Sequence, residues 1–316
     1  MQVDEELAEL APDKDMMLTI GVFDGVHLGH KYLISQLTGS ARQQGLLSGV
    51  VTFRQHPREI LSPQNRPLYL TIFTEKVRLL KEEGVDAVIL LSFTEELARL
   101  NASQFVSLLQ KHLRMRGLII GPDFALGHNR EGNTDYLRHL GQNTGFSLTV
   151  IPPITANGET VSSTAIRNAL ANGNIKKVNN LMGRPFSLQG QVASGAGRGL
   201  ELGFPTANIE VDSRQALPAD SVYATWAHFD NSIYQSVTNI GRRPTFDGHE
   251  RTVETFVIDY RGDLYGSQLR IDIVERLRSE KRFDSVEELK RQMAEDVKQG
   301  VAILNSQSKD RIVTGE

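Results

Sequence analysis

Two histidines, His27 and His30, close the run Gly21-Val-Phe-Asp-Gly-Val-His-Leu-Gly-His30. Three residues apart at the start of a helical pattern, both imidazoles face one side, where first-turn amides point at anionic oxygens. Such a pair suits nucleotidyl transfer. A phosphate oxygen attacks the α-phosphorus of ATP, and the protein supplies position and charge stabilisation rather than a nucleophile. Gly21, Phe23, Asp24 and Gly25 complete the expected ATP-binding loop. The same pair also reads as surface histidines or half a zinc site, although two imidazoles without thiolates are an incomplete metal set. The glycine spacing is not the G-x-G-x-x-G of a dinucleotide fold.

Three further groups of residues carry possible chemistry. Ser162, Ser163 and Thr164 stand before a helical run with Arg167 one turn in, which is either a phosphate clamp or an ordinary N-cap with a solvated arginine. Gly195-Ala-Gly-Arg-Gly-Leu-Glu-Leu-Gly-Phe-Pro-Thr-Ala-Asn208 places Gly197, Arg198, Gly199 and Gly203 where backbone can approach phosphate. In an extended strand Thr206 and Asn208 share a face and suit magnesium and ATP oxygens together; the alternative is a glycine-rich turn before an unremarkable strand. Glu254 interrupts a β-favouring run, as a general base for a substrate hydroxyl or as a solvent-facing strand glutamate.

The elements that must hold these residues fall into two patterns. From Leu18 to Ile151, short runs (Leu18–Phe23, Val50–Phe53, Val88–Leu91, Leu118–Ile120, Leu148–Ile151) alternate with helical stretches such as Thr74–Glu83 and Ala102–Met115. That alternation predicts a doubly wound parallel α/β sheet, with ligands at the carboxyl ends of its strands. A helix-like stretch, Thr164–Met182, ends at Gly183-Arg-Pro185, so the domains are expected at 1–184 and 185–316. Beyond lie Gln189–Ala193, Val222–Phe229, Ile233–Asn239, Val253–Tyr260 and Leu269–Ile273, closely spaced as in an antiparallel barrel. A final helix is expected from Ser285, with a Ser285/Glu288 capping box and Val286, Leu289, Met293 and Val297 on the face that covers the barrel.

Together the motifs Gly21–His30, Thr52-Phe-Arg-Gln-His-Pro57, Gly121-Pro-Asp-Phe-Ala-Leu-Gly127 and Ser162–Arg167 resemble the bacterial bifunctional riboflavin kinase/FAD synthetase family. The run Gly203–Asn208, Thr238-Asn-Ile-Gly-Arg-Arg-Pro-Thr245, Glu254 and Gly262–Gly266 resemble its flavokinase module. The resemblance implies a nucleotidylyltransferase-like α/β domain that joins AMP from ATP to FMN. His27, His30, Ser163 and Arg167 would surround the phosphates, with Asp123 and Phe124 nearby and His56 and Phe124 at the flavin. It implies a barrel that phosphorylates riboflavin, with Glu254 as base, Thr206 and Asn208 at magnesium-ATP, and Arg278 helping to hold flavin. Gln55, Leu126, Ser221 and Phe256 depart from the family's usual proline, aromatic residue, glycine and histidine. A chain with one degenerate domain, or a flavin-binding regulator without turnover, is the alternative.

Composition narrows the partners. A net charge of −3 and no basic block disfavour nucleic acid and anionic lipid. Zero cysteines exclude thiol chemistry and suit the cytoplasm. The acidic start, Met1–Asp15, lacks the pattern of a leader, and no apolar run is long enough to span a membrane. The expected partners are therefore ATP, riboflavin and FMN, with weak self-association left open.

Overall fold

The computed structural model describes residues 2–156, 158–193, 203–245 and 248–314. It divides into two compact units, Met1–Ser163 and Thr164–Glu316.

The first unit runs α1 (Gln2–Ala8), β1 (Met16–Ile20), α2 (Leu28–Gln44), β2 (Leu47–Phe53), α3 (Arg58–Leu61), α4 (Phe73–Glu82), β3 (Ala87–Leu91), α5 (Glu95–Arg99), α6 (Ala102–Leu113), β4 (Met115–Ile120), α7 (Thr134–Thr144) and β5 (Ser147–Val150). A small hairpin, β6 (Thr155–Ala156) with β7 (Glu159–Thr160), follows. The five main strands are parallel in the order β3-β2-β1-β4-β5. Strand β1 is fully buried because the sheet is covered on both faces. Alternation along each strand divides its side chains: Leu18, Val51, Phe53 and Ile120 pack with Phe105, Leu109 and Leu137, whereas Met17, Val50 and Ile119 pack with Ile34, Leu37 and Leu80. Gly49 is small for a reason, since a Cβ there would lie 2.6 Å from Leu18 Cδ2.

The order turns back between β1 and β4. This switch point is where the loops after two neighbouring strands diverge and leave a crevice. The loop carrying Gly21–His27 and the loop carrying Asp123 and Phe124 both start there.

From Thr164 the second unit holds the rest of α8 (Ser163–Ala171) and then α9 (Ile175–Met182). The expected single helix over Thr164–Met182 is broken because Gly173 takes a left-handed φ of 67° and Asn174 then caps α9 through its side chain. Six strands follow: β8 (Phe186–Ala193), β9 (Thr206–Val211), β10 (Ser221–Phe229), β11 (Ser232–Thr245), β12 (Gly248–Val257) and β13 (Gln268–Ser279). They close an antiparallel barrel in the order β10-β11-β12-β9-β8-β13. Several run longer than their apolar cores suggest, because cross-strand hydrogen bonding carries polar residues such as Arg242 and Arg276 into register. Inside the barrel, buried Thr225 bonds Ser236 at 2.7 Å and Thr238 at 2.8 Å, and Thr238 bonds Thr255 at 2.9 Å. Each hydroxyl thus finds its partner across a strand.

The chain closes with α10 (Val286–Thr314). Ser285 Oγ accepts the Glu288 N–H at 3.1 Å, but Glu288 reaches the amide of Asp284 rather than that of Ser285, so only half of the capping box forms. Leu289, Met293 and Val297 turn toward the barrel, whereas Val286, in the first turn, is exposed.

Candidate functional site

In the first unit the turn after β1 is held in an uncommon backbone shape. Phe23, Gly25 and Val26 all have positive φ, at 52°, 88° and 37°. Non-glycine residues stay in that region only when their surroundings determine it. Here the determinant is Asp24, which is buried and accepts the backbone N–H groups of Leu70 (2.9 Å) and Thr71 (3.2 Å). Gly25 N–H donates to Thr71 Oγ1 at 3.1 Å, and Ser163 Oγ donates to the Asp24 carbonyl at 2.9 Å. The Asp24 carboxylate is thereby committed to backbone amides, so its contribution is to fix the loop. Phe23 folds back over Gly21, where a Cβ would come within 3.0 Å of its ring.

His27 is the N-cap of α2. Its Nδ1 accepts the His30 N–H at 3.3 Å, and the two rings stack with centroids 3.6 Å apart and 15° between planes. Gly29 permits this: a Cβ would lie 3.1 Å from the His27 ring and 3.3 Å from the Val161 carbonyl. The edge of Phe23 packs against His30 at 5.1 Å. Ser163 opens α8, preceded by Ser162, and Thr164 and Arg167 follow within that helix. Arg167 is four residues beyond Ser163, on the same helical face.

A cavity of about 660 Å³ opens at the switch point. Gly21, Val22, Phe53, His56, Phe93, Asp123 and Phe124 are among its walls, so the residues expected at the flavin converge on one space. Its size and apolar lining fit a planar heteroaromatic ligand. His56 is held from both sides: its N–H donates to Tyr69 Oη at 2.8 Å, and its Nδ1 accepts the Arg58 N–H at 3.0 Å. The neutral ring accordingly carries its proton on Nε2. Gln55 donates to the Phe93 carbonyl at 2.9 Å, and Phe93 meets Phe53 edge-on at 5.3 Å. Leu126 lines the same cavity. Both unusual residues therefore help shape it.

In the second unit a cavity of about 430 Å³ lies between the outer face of the barrel and α10. Strand register sets the row Asn208, Glu254, Asn239 across β9, β12 and β11, with Thr206 opposite Phe256 two residues along. Thr206, Asn239, Glu254, Phe256 and Arg278 all line the cavity. Phe256 meets Phe204 edge-on at 5.3 Å. Gly203 has a φ of 82°, in the region glycine favours, just before this strand. Gly197, Arg198 and Gly199 lie outside the described residues.

Arg278 is less available than a simple flavin clamp would be. Its Nε and Nη2 donate to the two Asp296 oxygens at 2.9 and 2.8 Å, and Asp296 is buried on α10. This bidentate pair pins the helix to β13 while the guanidinium rests near the Phe283 ring at 5.6 Å. Ser221 is buried, donates to the Asp220 carbonyl at 2.6 Å and accepts from Arg276 Nε at 2.8 Å, a place no glycine could fill in the same way.

Three residues of these sites, Lys76, Asn239 and Asp296, do not stand out in the sequence. Lys76 sits on the buried face of α4 with Leu79 and Leu80, and a lysine on an apolar helical face was the available signal. Asn239 lies inside the Thr238–Thr245 motif but becomes distinctive only through the pairing of β11 with β12. Asp296 needed the packing of α10.

Comparison with known proteins agrees with both halves. Residues 10–165 match the FAD synthetase family and residues 182–304 match the riboflavin kinase family. The bifunctional riboflavin kinase/FMN adenylyltransferase of Escherichia coli (strain K12) is 39% identical over 288 residues, covering 90% of this chain and 92% of that protein. The enzyme of the same name from Pseudomonas fluorescens is 37% identical, covering 94% and 96%, and that from Bacillus subtilis (strain 168) is 31% identical, covering 90% and 91%. A crystal structure described as a macrolide-efflux protein from Streptococcus pneumoniae superposes with a TM-score of 0.86 at 30% identity, over 94% of this chain and 96% of that one. Shared fold does not carry a shared activity. Among the described residues no helix is long and apolar enough to cross a membrane. With both family matches and relatives of this identity along nearly its whole length, the chain belongs to the bifunctional riboflavin kinase/FMN adenylyltransferase family.

Proposed function

We propose that this chain makes both flavin cofactors in sequence, phosphorylating riboflavin to FMN and then adenylylating FMN to FAD. The observation that carries the reading is that each family match contains a cavity lined by residues expected at its substrates, His56, Asp123 and Phe124 in the first and Thr206, Glu254 and Arg278 in the second. The functional division is placed at 1–184 for adenylyl transfer and 185–316 for the kinase.

In the adenylyltransferase, an FMN phosphate oxygen attacks the α-phosphorus of ATP and pyrophosphate leaves. No protein nucleophile is needed. The Nε2–H of His27, the His30 ring, the Ser163 backbone N–H at the start of α8 and Arg167 stabilise charge on the phosphates, and the first-turn amides of α2 add their partial positive charge. Gly21, Phe23 and Gly25 let the loop approach the nucleotide. Asp24 fixes that loop, and Ser162 and Thr164 shape the entry to α8. His56 and Phe124 hold the flavin beside Asp123.

In the kinase, the ribityl 5′-hydroxyl attacks the γ-phosphorus, its proton passes to Glu254, and ADP leaves. From β9, Thr206 and Asn208 would hold Mg2+-ATP. Among the described residues no three His, Asp or Glu side chains cluster as a metal site. This donor set suits Mg2+, a hard cation held mainly by substrate phosphates with one or two protein oxygens. Bound there, Mg2+ would neutralise charge on the transferring phosphoryl group. Arg278, through Asp296, keeps the helical wall of the cavity in place. We place the enzyme in the cytoplasm with ATP, riboflavin and FMN as partners and no nucleic acid.

Chromatography of protein incubated with riboflavin and Mg2+-ATP, and separately with FMN and Mg2+-ATP, tests the reading. FAD from both mixtures, with FMN appearing first from riboflavin, is the expected result. FMN alone, or FAD only from added FMN, would assign a single activity.

A further inference from the structure

Lys76 is 5% exposed, yet it ends in an ammonium group. It reaches from α4 under the carboxyl ends of two strands. Its Nζ donates to the Phe53 carbonyl at 2.7 Å, the Thr52 hydroxyl at 3.3 Å and the Val22 carbonyl at 3.3 Å. Thr52 in turn donates to the Val22 carbonyl at 3.1 Å. One ammonium thus joins the end of β2 to the loop leaving β1, and both Val22 and Phe53 are walls of the 660 Å³ cavity. Val22 is also the second residue of the loop that leads through Asp24 to His27.

Burying a charge costs several kcal/mol unless hydrogen bonds and opposite charge offset it. A neutral side chain could fill this space without that penalty. The position instead carries a charge beside the site that must gather two anionic substrates.

We propose that Lys76 is a positioning residue for adenylyl transfer: its ammonium holds the Val22 and Phe53 carbonyls, and with them the His27 loop and the flavin wall, and FMN turnover requires that ammonium to be charged. This rests on the adenylyltransferase reading above.

Burial, rather than neighbouring charge, brings the Lys76 titration near working pH. Burial pushes the Lys76 pKa down to about 8, against the opposing pull of the Asp24 carboxylate. From the end of β2, Arg54 shares the Phe73 ring with Lys76, at 6.0 Å against 5.7 Å. On α4 itself, Glu75 is bonded to Arg78, and Glu83 just beyond the helix is paired with Lys31 of α2. Strand β3, which also packs against α4, has no ionisable side chain. The sign is then fixed. Between about pH 8 and the unfolded value of 10.5, the unfolded chain holds a proton the folded chain lacks, so through Lys76 stability rises with pH. Activity, needing the charged form, falls over the same range. A lysine that served folding alone would not give opposite signs.

The test is the pH profile of kcat/KM for FMN, which reports the free enzyme, in the wild type and in the Lys76→Arg and Lys76→Met variants. The wild type should decline above about pH 8, Lys76→Arg should lose that decline because guanidinium stays charged, and Lys76→Met should be lower throughout by up to about 100-fold. Riboflavin phosphorylation by the same chain should be unchanged in both variants. If Lys76→Met fails to fold, the comparison of wild type with Lys76→Arg still decides. An alkaline decline that persists in Lys76→Arg, or a folded Lys76→Met with wild-type kcat/KM, overturns the proposal. A wild type that makes no FAD at any pH overturns the adenylyltransferase reading itself.

Discussion

His27 Nδ1 accepts the backbone N–H of His30 at 3.3 Å, so the neutral His27 ring keeps its proton on Nε2. Capping and catalysis are thereby divided between the two nitrogens of one ring. His27→Asn preserves a cap acceptor but removes the Nε2 donor, so it should abolish most FAD formation while thermal stability stays near wild type. His27→Ala should lose FAD formation and also about 1 kcal/mol of stability. Product chromatography from FMN and Mg2+-ATP, paired with thermal unfolding, separates the two effects.

The buried Asp24 carboxylate ties the same loop to the amides of Leu70 and Thr71. Asp24→Ala leaves those donors without their acceptor, and each such loss costs about 1–3 kcal/mol. The first unit should therefore be less stable by roughly 2–6 kcal/mol. FAD synthesis should fall with it while riboflavin phosphorylation continues; unchanged unfolding would show that the carboxylate does not fix the loop.

Glu254 stands in register between Asn208 and Asn239, inside the kinase cavity. Glu254→Gln keeps the size and hydrogen-bonding reach but cannot take the hydroxyl proton. FMN formation should slow by about 10²–10⁴-fold in kcat, with little change in KM for riboflavin. Conversion of added FMN to FAD should proceed as before. A loss confined to KM would make Glu254 a binding residue.

On β13 of the barrel, Asp272 is almost fully buried. Burial alone would raise its pKa, but the paired His228 and the hydrogen bonds from Arg270 and Ser187 outweigh this and hold it well below the ordinary 3.8. Because the folded value is depressed, its contribution to stability is complete above about pH 4 and is lost as pH falls toward the folded value. Chemical unfolding of the wild type should weaken steeply in that acid window. Asp272→Asn should be less stable at neutral pH and flatter in acid; an equal acid slope would rule Asp272 out as its cause.

Local sequence was enough to fix much of this protein. Alternating apolar runs and crossover lengths specified a parallel sheet, because a half-buried or fully buried strand has few ways to satisfy its pattern. Glycine and asparagine supplied turns by their own backbone preferences, and the H-x-G-H spacing placed two imidazoles on a helix start without further help. Other features depended on contacts between distant segments. The break at Gly173 was hidden because its helical neighbours on both sides read as one amphipathic run. Asp24 read as a ligand for nucleotide, and only the approach of Leu70 and Thr71, 46 and 47 residues away, turned it inward. Lys76 is marked only by the apolar face it shares, Asn239 is not set apart from its neighbours in the Thr238–Thr245 run, and Asp296 stands in no motif. Their environments, under the ends of β1 and β2, beside Glu254, and against Arg278, exist only after strands pair and helices dock, since burial and charge pairing are properties of the assembled surface rather than of a residue type.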